Sequence, residues 1–211
     1  MASPKNYLDL QNQIAEDLTR PDLTAETKNA VANAIEFYET SRFHFNVTRS
    51  KTFPTVAGQS AYGAAALAEI PDLIELDALF LFDGRPSELE KYEVDEFEWL
   101  QGSQTGRGRP TSYCYVDSQI LLWPVPAAVY TIRPHMHYKL APLVADTDSN
   151  AWTVDAEQLI RCHAKLLLYA NVIEDTEGMQ RMQVQIQPLL DRLAYKASAR
   201  SSTGRIRGTS W

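Results

Sequence analysis

The sequence is poor in the features that mark secreted, membrane-spanning or metal-binding proteins. Its only two cysteines, Cys114 and Cys162, lie in unrelated sequence contexts, so neither a disulfide framework nor a paired-cysteine metal site is indicated. No run of about 18 apolar residues is present, and the first residues lack the basic-then-apolar pattern of a signal peptide. We therefore expect a protein made in the cytoplasm, without a membrane span, whose cysteines are buried free thiols.

Positive charge is also in short supply, and the formal net charge is -7. This disfavours a protein whose main task is to wrap nucleic acid, because neutralising phosphates requires a cationic surface. The charges are unevenly spread. Residues 196–211 contain four basic and no acidic residues, whereas the acidic segment, residues 69–98, contains two basic residues and eleven acidic ones: Glu69, Asp72, Glu75, Asp77, Asp83, Glu88, Glu90, Glu93, Asp95, Glu96 and Glu98.

Apolar residues at helical spacing predict helices towards both ends of the sequence. Residues 7–18 carry one apolar stripe. A second helix should begin with Thr24 as its N-cap and run to about Arg42 or Phe45. The broadest apolar face comes later, in a long helix with Thr153 as its expected N-cap.

A fourth helical segment, residues 178–198, contains Pro188. Proline has no N–H to bond the carbonyl of Val184, so we expect a kink or a break there. Residues 199–211 are rich in Ser, Gly and Thr and have no periodicity, which is typical of a flexible tail.

Between the helices the apolar period shortens towards two, and this change predicts a β region over residues 45–140. A strand over residues 73–82 should bury one face, comprising Ile74, Leu76, Ala78, Phe80 and Phe82. A turn at residues 82–85 follows, and a short helix is predicted over residues 92–100. Further strands are predicted over residues 112–116, 119–123 and 130–139.

These elements predict an α+β fold. Each terminal amphipathic helix must bury its apolar stripe, and the nearest suitable partners are the helices at the other end. We therefore expect a helical bundle from residues 1–45 and 150–198, an inserted antiparallel β domain over residues 46–149, and a flexible basic tail over residues 199–211.

Three patterns could carry metal or nucleophile chemistry. His135 and His137 could place two imidazoles on one face of a strand, but no third zinc ligand lies near them in the sequence. Cys162 and His163 are neighbours on a helix, so they should point about 100° apart and serve as core residues. Carboxylates of the acidic segment such as Asp95 could belong to a metallonuclease, although a solvated face is favoured.

Two arginine-bearing segments are candidates for binding a partner. The loop of residues 102–109 is rich in Gly but lacks the Gly-Lys-Ser/Thr of a phosphate loop, so we interpret it either as a solvated loop or as one ordered by a neighbouring subunit, with Arg107 and Arg109 as the candidate interface residues. The tail combines cationic and apolar side chains on a flexible chain, which is typical of a segment that folds onto a partner; a solvated terminus and nonspecific DNA contact are the alternatives. These side chains are Arg200, Arg205, Ile206, Arg207 and Trp211.

Four passages carry a family resemblance. They are residues 17–20 with 34–38, residues 58–62, residues 108–113 running into 120–126 and 138–143, and residues 152–160. In order and spacing, over about residues 5–197, they resemble the phage head-to-tail connector group that includes podovirus tail tubular protein A and related adaptors.

The resemblance implies a non-enzymatic virion protein that needs no cofactor. Such a protein forms a ring, of twelve copies, between the portal and the next tail or neck component, and DNA passes through its lumen. It also implies that the C-terminal segment reaches the portal, a role that falls here to Arg200, Arg205, Ile206, Arg207 and Trp211. A channel lined by part of the acidic segment would let DNA slide without sticking, because like charges repel. The alternatives are the metallonuclease and a small DNA-binding accessory protein that uses the basic tail.

Overall fold

The structure is a computed structural model that describes residues 6–63, 73–103 and 106–201. The chain divides after Phe45 and after Leu140 into two compact units. Residues on both sides of the insertion build the helical unit, and residues 46–140 build the sheet unit. The predicted α+β fold, with a largely antiparallel β domain between helices from both ends of the chain, is confirmed.

In chain order the described elements are α1 (Tyr7–Leu18), α2 (Thr24–Glu39), β1 (Val47–Thr48), β2 (Phe53–Pro54), β3 (Ala61–Tyr62), β4 (Leu73–Asp83), β5 (Arg85–Lys91), α3 (Val94–Ser103), β6 (Arg107–Gly108), β7 (Ser112–Val116), β8 (Gln119–Trp123), β9 (Val125–Pro126), β10 (Thr131–Tyr138), α4 (Ala151–Val154), α5 (Glu157–Leu168), a π-helical turn (Tyr169–Ile173) and α6 (Thr176–Ser201). Residues 199–201, expected in the flexible tail, therefore still belong to a helix.

The start of α1 is tied to the chain that returns from the sheet unit. The Asn6 side chain caps the helix by accepting the Asp9 N–H at 2.8 Å. The N–H groups of Tyr7 and Leu8 donate to the carbonyls of Asp148 and Asp146 at 2.8 and 3.0 Å. These bonds satisfy donors that a helix start leaves without partners, and they fix residues 141–149 in the helical unit.

The core of the helical unit lies around α5, which packs against α1, α2 and α6. Each fully buried aliphatic side chain contributes roughly 1.5–3 kcal/mol relative to its exposed state, so this packing is the main source of stability. The buried side chains include Leu10, Ile14, Val31, Ala34, Leu159, Ile160 and Ala164. Aromatic contacts also stabilise this core. The Trp152 ring lies edge-on to Phe43 and to Phe45, with 5.6 and 5.1 Å between ring centroids.

Several predicted helix boundaries were wrong. Thr24 is the first residue of α2 rather than its cap, and α2 ends at Glu39, earlier than expected. The predicted long helix is divided into α4 and α5. Its N-cap is Asn150 rather than Thr153, and Thr153 completes the capping box of α4. Of the expected kink or break at Pro188, the break does not occur, since α6 is continuous through this residue, and the kink stays a prediction.

The sheet unit is organised around a main sheet in the order β1–β10–β4–β5–β7–β8–β3, with β2 also paired to β10. Its pairs are antiparallel except for the parallel pair of β5 and β7. A small parallel pair, β6 with β9, lies beside it. The turn predicted at residues 82–85 is present, with Gly84 at φ +77° between β4 and β5.

The buried face of β4 differs from the prediction. Leu76 is buried as expected. Beyond it Leu79 and Leu81 are buried, whereas the predicted Ala78, Phe80 and Phe82 are only partly buried. The cause is a β-bulge: His135 pairs with Ala78 and Met136 pairs with Leu76, which leaves Asp77 as an extra residue. One extra residue reverses the alternation of faces along the strand.

Candidate assembly surfaces

The predicted interface arginines both contact other parts of the sheet unit. Arg107 belongs to β6 and is exposed, and its guanidinium lies over Gly58, where a Cβ would be 3.6 Å from Nη2. Arg109 is also exposed and donates from Nη2 to Ser87 Oγ at 2.7 Å. Its Nε lies 3.7 Å from an Asp83 carboxylate oxygen. The described part of this segment is therefore held by contacts within the sheet unit, and its contact with a neighbouring subunit stays a prediction.

The predicted portal-binding residues fall at the edge of the described chain. Arg200 belongs to α6, so its backbone is helical rather than part of a flexible tail. Arg205, Ile206, Arg207 and Trp211 lie outside the described residues.

The acidic segment forms a solvent-facing surface wherever it is described. Glu69 and Asp72 lie outside the described residues, and the nine remaining carboxylates are exposed: Glu75, Asp77, Asp83, Glu88, Glu90, Glu93, Asp95, Glu96 and Glu98. They are spread over β4, β5 and α3 and the residues between. In the described parts of the chain, no group of three or more His, Cys, Asp or Glu side chains could hold a metal ion.

Helix α3 joins this acidic surface to an apolar groove, which the sequence did not predict. Its inner stripe packs Phe97 against Cys114 and Trp123 of the sheet, with smaller contributions from Val94 and Leu100. On the outer side lies the α3 groove, lined by Tyr92, Asp95, Glu96, Trp99 and Leu100. Tyr92 precedes α3 and the other four residues lie on it, at positions 95, 96, 99 and 100.

The groove combines an exposed aromatic ring with negative charge. Trp99 is 74% exposed. Tyr92 donates a hydrogen bond to Glu90 Oε2 at 3.1 Å, and the nearby carboxylate raises the pKa of the phenol. The cation next to it in sequence, Lys91, donates from Nζ to the Leu76 carbonyl at 3.3 Å. The surface around Trp99 is therefore apolar at its centre and anionic at its rim.

A charged network links the two ends of the chain within the helical unit. Lys165 Nζ lies 2.8 Å from an Asp17 carboxylate oxygen. Arg161 donates to Gln13 Oε1 at 2.7 Å and lies 3.1 Å from Glu157. Burial raises the pKa of Glu157 despite these cations. The network joins α5 to α1, and no motif in the sequence predicted it.

The two imidazoles of β10 have different environments. The His137 side chain is buried, and its Nε2 lies 3.0 Å from the Asn46 side-chain nitrogen. The His135 ring packs on Phe80, with 4.5 Å between ring centroids. Desolvation and two nearby arginines lower the pKa of His135.

Cys162 and His163 also contact different partners. The Cys162 thiol donates to the Met182 carbonyl at 3.3 Å, whereas His163 Nδ1 lies 2.9 Å from the Tyr38 hydroxyl. Burial raises the pKa of the thiol and lowers the pKa of the imidazole. Both groups are therefore neutral at pH 7 and act as core side chains of the helical unit.

Helices from both ends of the chain build one unit, the inserted segment builds the sheet unit, and the described residues expose charged and aromatic side chains. The family model described as SU10 adaptor protein matches residues 5–208. The chain therefore belongs to the SU10 adaptor protein family, a family of phage head-to-tail adaptors, and the resemblance seen in the sequence is confirmed.

A comparison with curated proteins finds none that matches the chain. Membership of the adaptor family makes the protein a structural component of the phage virion. No helix in the described residues is long and apolar enough to cross a membrane.

Proposed function

We propose that the protein forms a ring of twelve copies that docks on the portal and links it to the next tail or neck protein. Genomic DNA passes through the lumen of this ring without sequence-specific binding. The observation that carries the proposal is the family match over residues 5–208, which spans both the helical and the sheet unit.

In this proposal the helical unit and the basic tail face the portal. Arg200, Arg205, Ile206, Arg207 and Trp211 supply cations and apolar anchors for that contact. Segments of this composition gain order when they bind, and their arginines form charge-assisted hydrogen bonds with carboxylates. The carboxylates of β4 and β5 line the channel, where their negative charge keeps DNA from adhering. The protein acts by assembly and catalyses no reaction.

The test is reconstitution of the purified protein on purified portal. We expect ring-shaped complexes in negative stain and a mass that corresponds to twelve copies for each portal. A chain that lacks residues 200–211 should keep its folded circular dichroism spectrum and co-sediment more weakly with portal. The absence of rings under all conditions would refute the proposal, and unchanged co-sedimentation of the shortened chain would refute the role of the tail.

A further inference from the structure

The α3 groove is an interaction surface with a defined chemistry. Its central residue, Trp99, exposes 74% of its surface, and Tyr92 and Leu100 extend the apolar area. Apolar patches with polar rims mark sites of protein association, because burying them removes apolar surface from water. Tryptophan is also among the residues most enriched at the energetic centre of interfaces.

The charge around the groove selects the partner. Asp95 and Glu96 line it, Glu93 and Glu98 are exposed on either side of them in sequence, and Lys91 is turned towards a strand carbonyl. A carboxylate-bearing partner would be repelled, whereas a cationic partner gains both Coulomb attraction and hydrogen bonds. The groove is therefore complementary to arginine side chains.

The sheet unit presents such side chains at a second surface, the arginine corner, defined by Arg107 and Arg109. Both residues are exposed, β6 pairs with β9, and Ser87 holds the Arg109 guanidinium. Asp83 lies 3.7 Å from Arg109 Nε, so the two arginines still leave a net positive charge here. None of the residues that line the α3 groove belongs to this corner. Each copy of the protein thus carries both an anionic groove and a separate cationic corner.

We propose that the arginine corner of one copy binds the α3 groove of the next copy in the ring. A planar guanidinium stacks on the face of Trp99 while the carboxylates at the rim accept its N–H groups. Two different surfaces that pair between identical copies form a heterologous contact, and repetition of such a contact closes a ring when the rotation fits. The inference rests on the proposed ring and names the surfaces that join its subunits.

The experiment is a charge exchange on full-length protein assembled on portal. The groove variant carries Asp95→Arg and Glu96→Arg, and the corner variant carries Arg107→Glu and Arg109→Glu. Each alone places like charges in contact, so the fraction of portals with complete rings should fall by about tenfold or more. The chain with all four substitutions restores opposite charges and should recover ring formation. An equal mixture of the two variants should also recover it by alternation around an even-numbered ring.

Matched controls separate this contact from general effects of charge. Lys51→Glu in the sheet unit reverses the charge of an exposed residue outside both surfaces and should leave assembly unchanged. Trp99→Ala should reduce the assembly of protein rings on portal without lowering the melting temperature, because the Trp99 side chain is largely exposed. Melting curves of every variant identify any loss of folding.

The outcomes are distinct. If the groove variant and the corner variant each form rings as well as the wild type does, the inference is overturned and the proposed function stands. Reversals that spare the ring but weaken attachment of the downstream neck protein would assign the groove to that partner and also overturn it. If wild-type protein forms no ring on portal, the proposed function itself fails.

Discussion

The Tyr38 hydroxyl and the His163 imidazole form a buried polar contact between α2 and α5. Their oxygen and Nδ1 atoms lie 2.9 Å apart, and the two residues are 3% and 8% exposed. Desolvation lowers the pKa of His163 and raises the pKa of Tyr38 to about 12, so both groups are neutral over the physiological range. The pair satisfies two polar groups where water has little access.

Tyr38→Phe should destabilise the protein. The substitution keeps the ring but leaves His163 Nδ1 buried without its partner, which costs about 1–3 kcal/mol. Urea denaturation monitored by circular dichroism measures the change. Tyr195→Phe is the control, since Tyr195 is 75% exposed and its change should stay within about 0.5 kcal/mol. Equal effects of the two substitutions would show that the Tyr38–His163 contact contributes nothing.

Single residues also show why the candidate surfaces were only partly predictable. The arginines at positions 107 and 109 could be recognised from composition, but their contacts with Gly58, Ser87 and Asp83 depend on pairing distant in sequence. Trp99 was visible as an apolar residue of a predicted helix. Its exposure could not be read from the sequence, because an apolar residue beside a buried stripe usually joins the core.

At the scale of elements, α1, β7 and β8 match their predicted bounds because each pattern is local and strong. Strand β5 was missed, since its alternation is weak and only Leu89 is buried in it. The inner face of β4 was predicted correctly at Leu76 and wrongly beyond it. A β-bulge is set by pairing with β10, and no pattern within β4 itself records it.

Pro188 is the residue of α6 that most disfavours a helical conformation. Proline in a helix interior costs about 3 kcal/mol because it removes one hydrogen bond and its ring clashes with the preceding turn. Val184 and Pro188 are exposed, so water can solvate the carbonyl that proline leaves unbonded and part of this cost is recovered.

Pro188→Ala should therefore raise the free energy of unfolding by roughly 1–3 kcal/mol. Chemical denaturation gives the value, and Gln185→Ala, at another exposed position of α6, should change it by less than about 0.5 kcal/mol. A loss of stability on replacing Pro188 would mean that its backbone geometry is required by the packing of α6 against α5.

At the scale of the whole molecule, the sheet unit begins and ends at neighbouring points. The N–H of Tyr138 donates to the Asn46 carbonyl at 3.0 Å, and β1 pairs Val47 with His137. The helical unit has its own core from both sides of the insertion, and the sheet unit has another around Leu79, Leu81 and Leu122. We infer that each unit folds independently of the other.

Replacing residues 46–140 by a Gly/Ser linker of about six residues, which can span roughly 20 Å, should leave the helical unit folded. Its circular dichroism should be helical and its thermal melting cooperative, because α5 retains its contacts with α1, α2 and α6. Ile14→Asp in the shortened chain should abolish that melting, since Ile14 is fully buried. A shortened chain that is helical yet melts without cooperativity would show that the bundle needs the sheet unit to pack, and the two units would then fold as one.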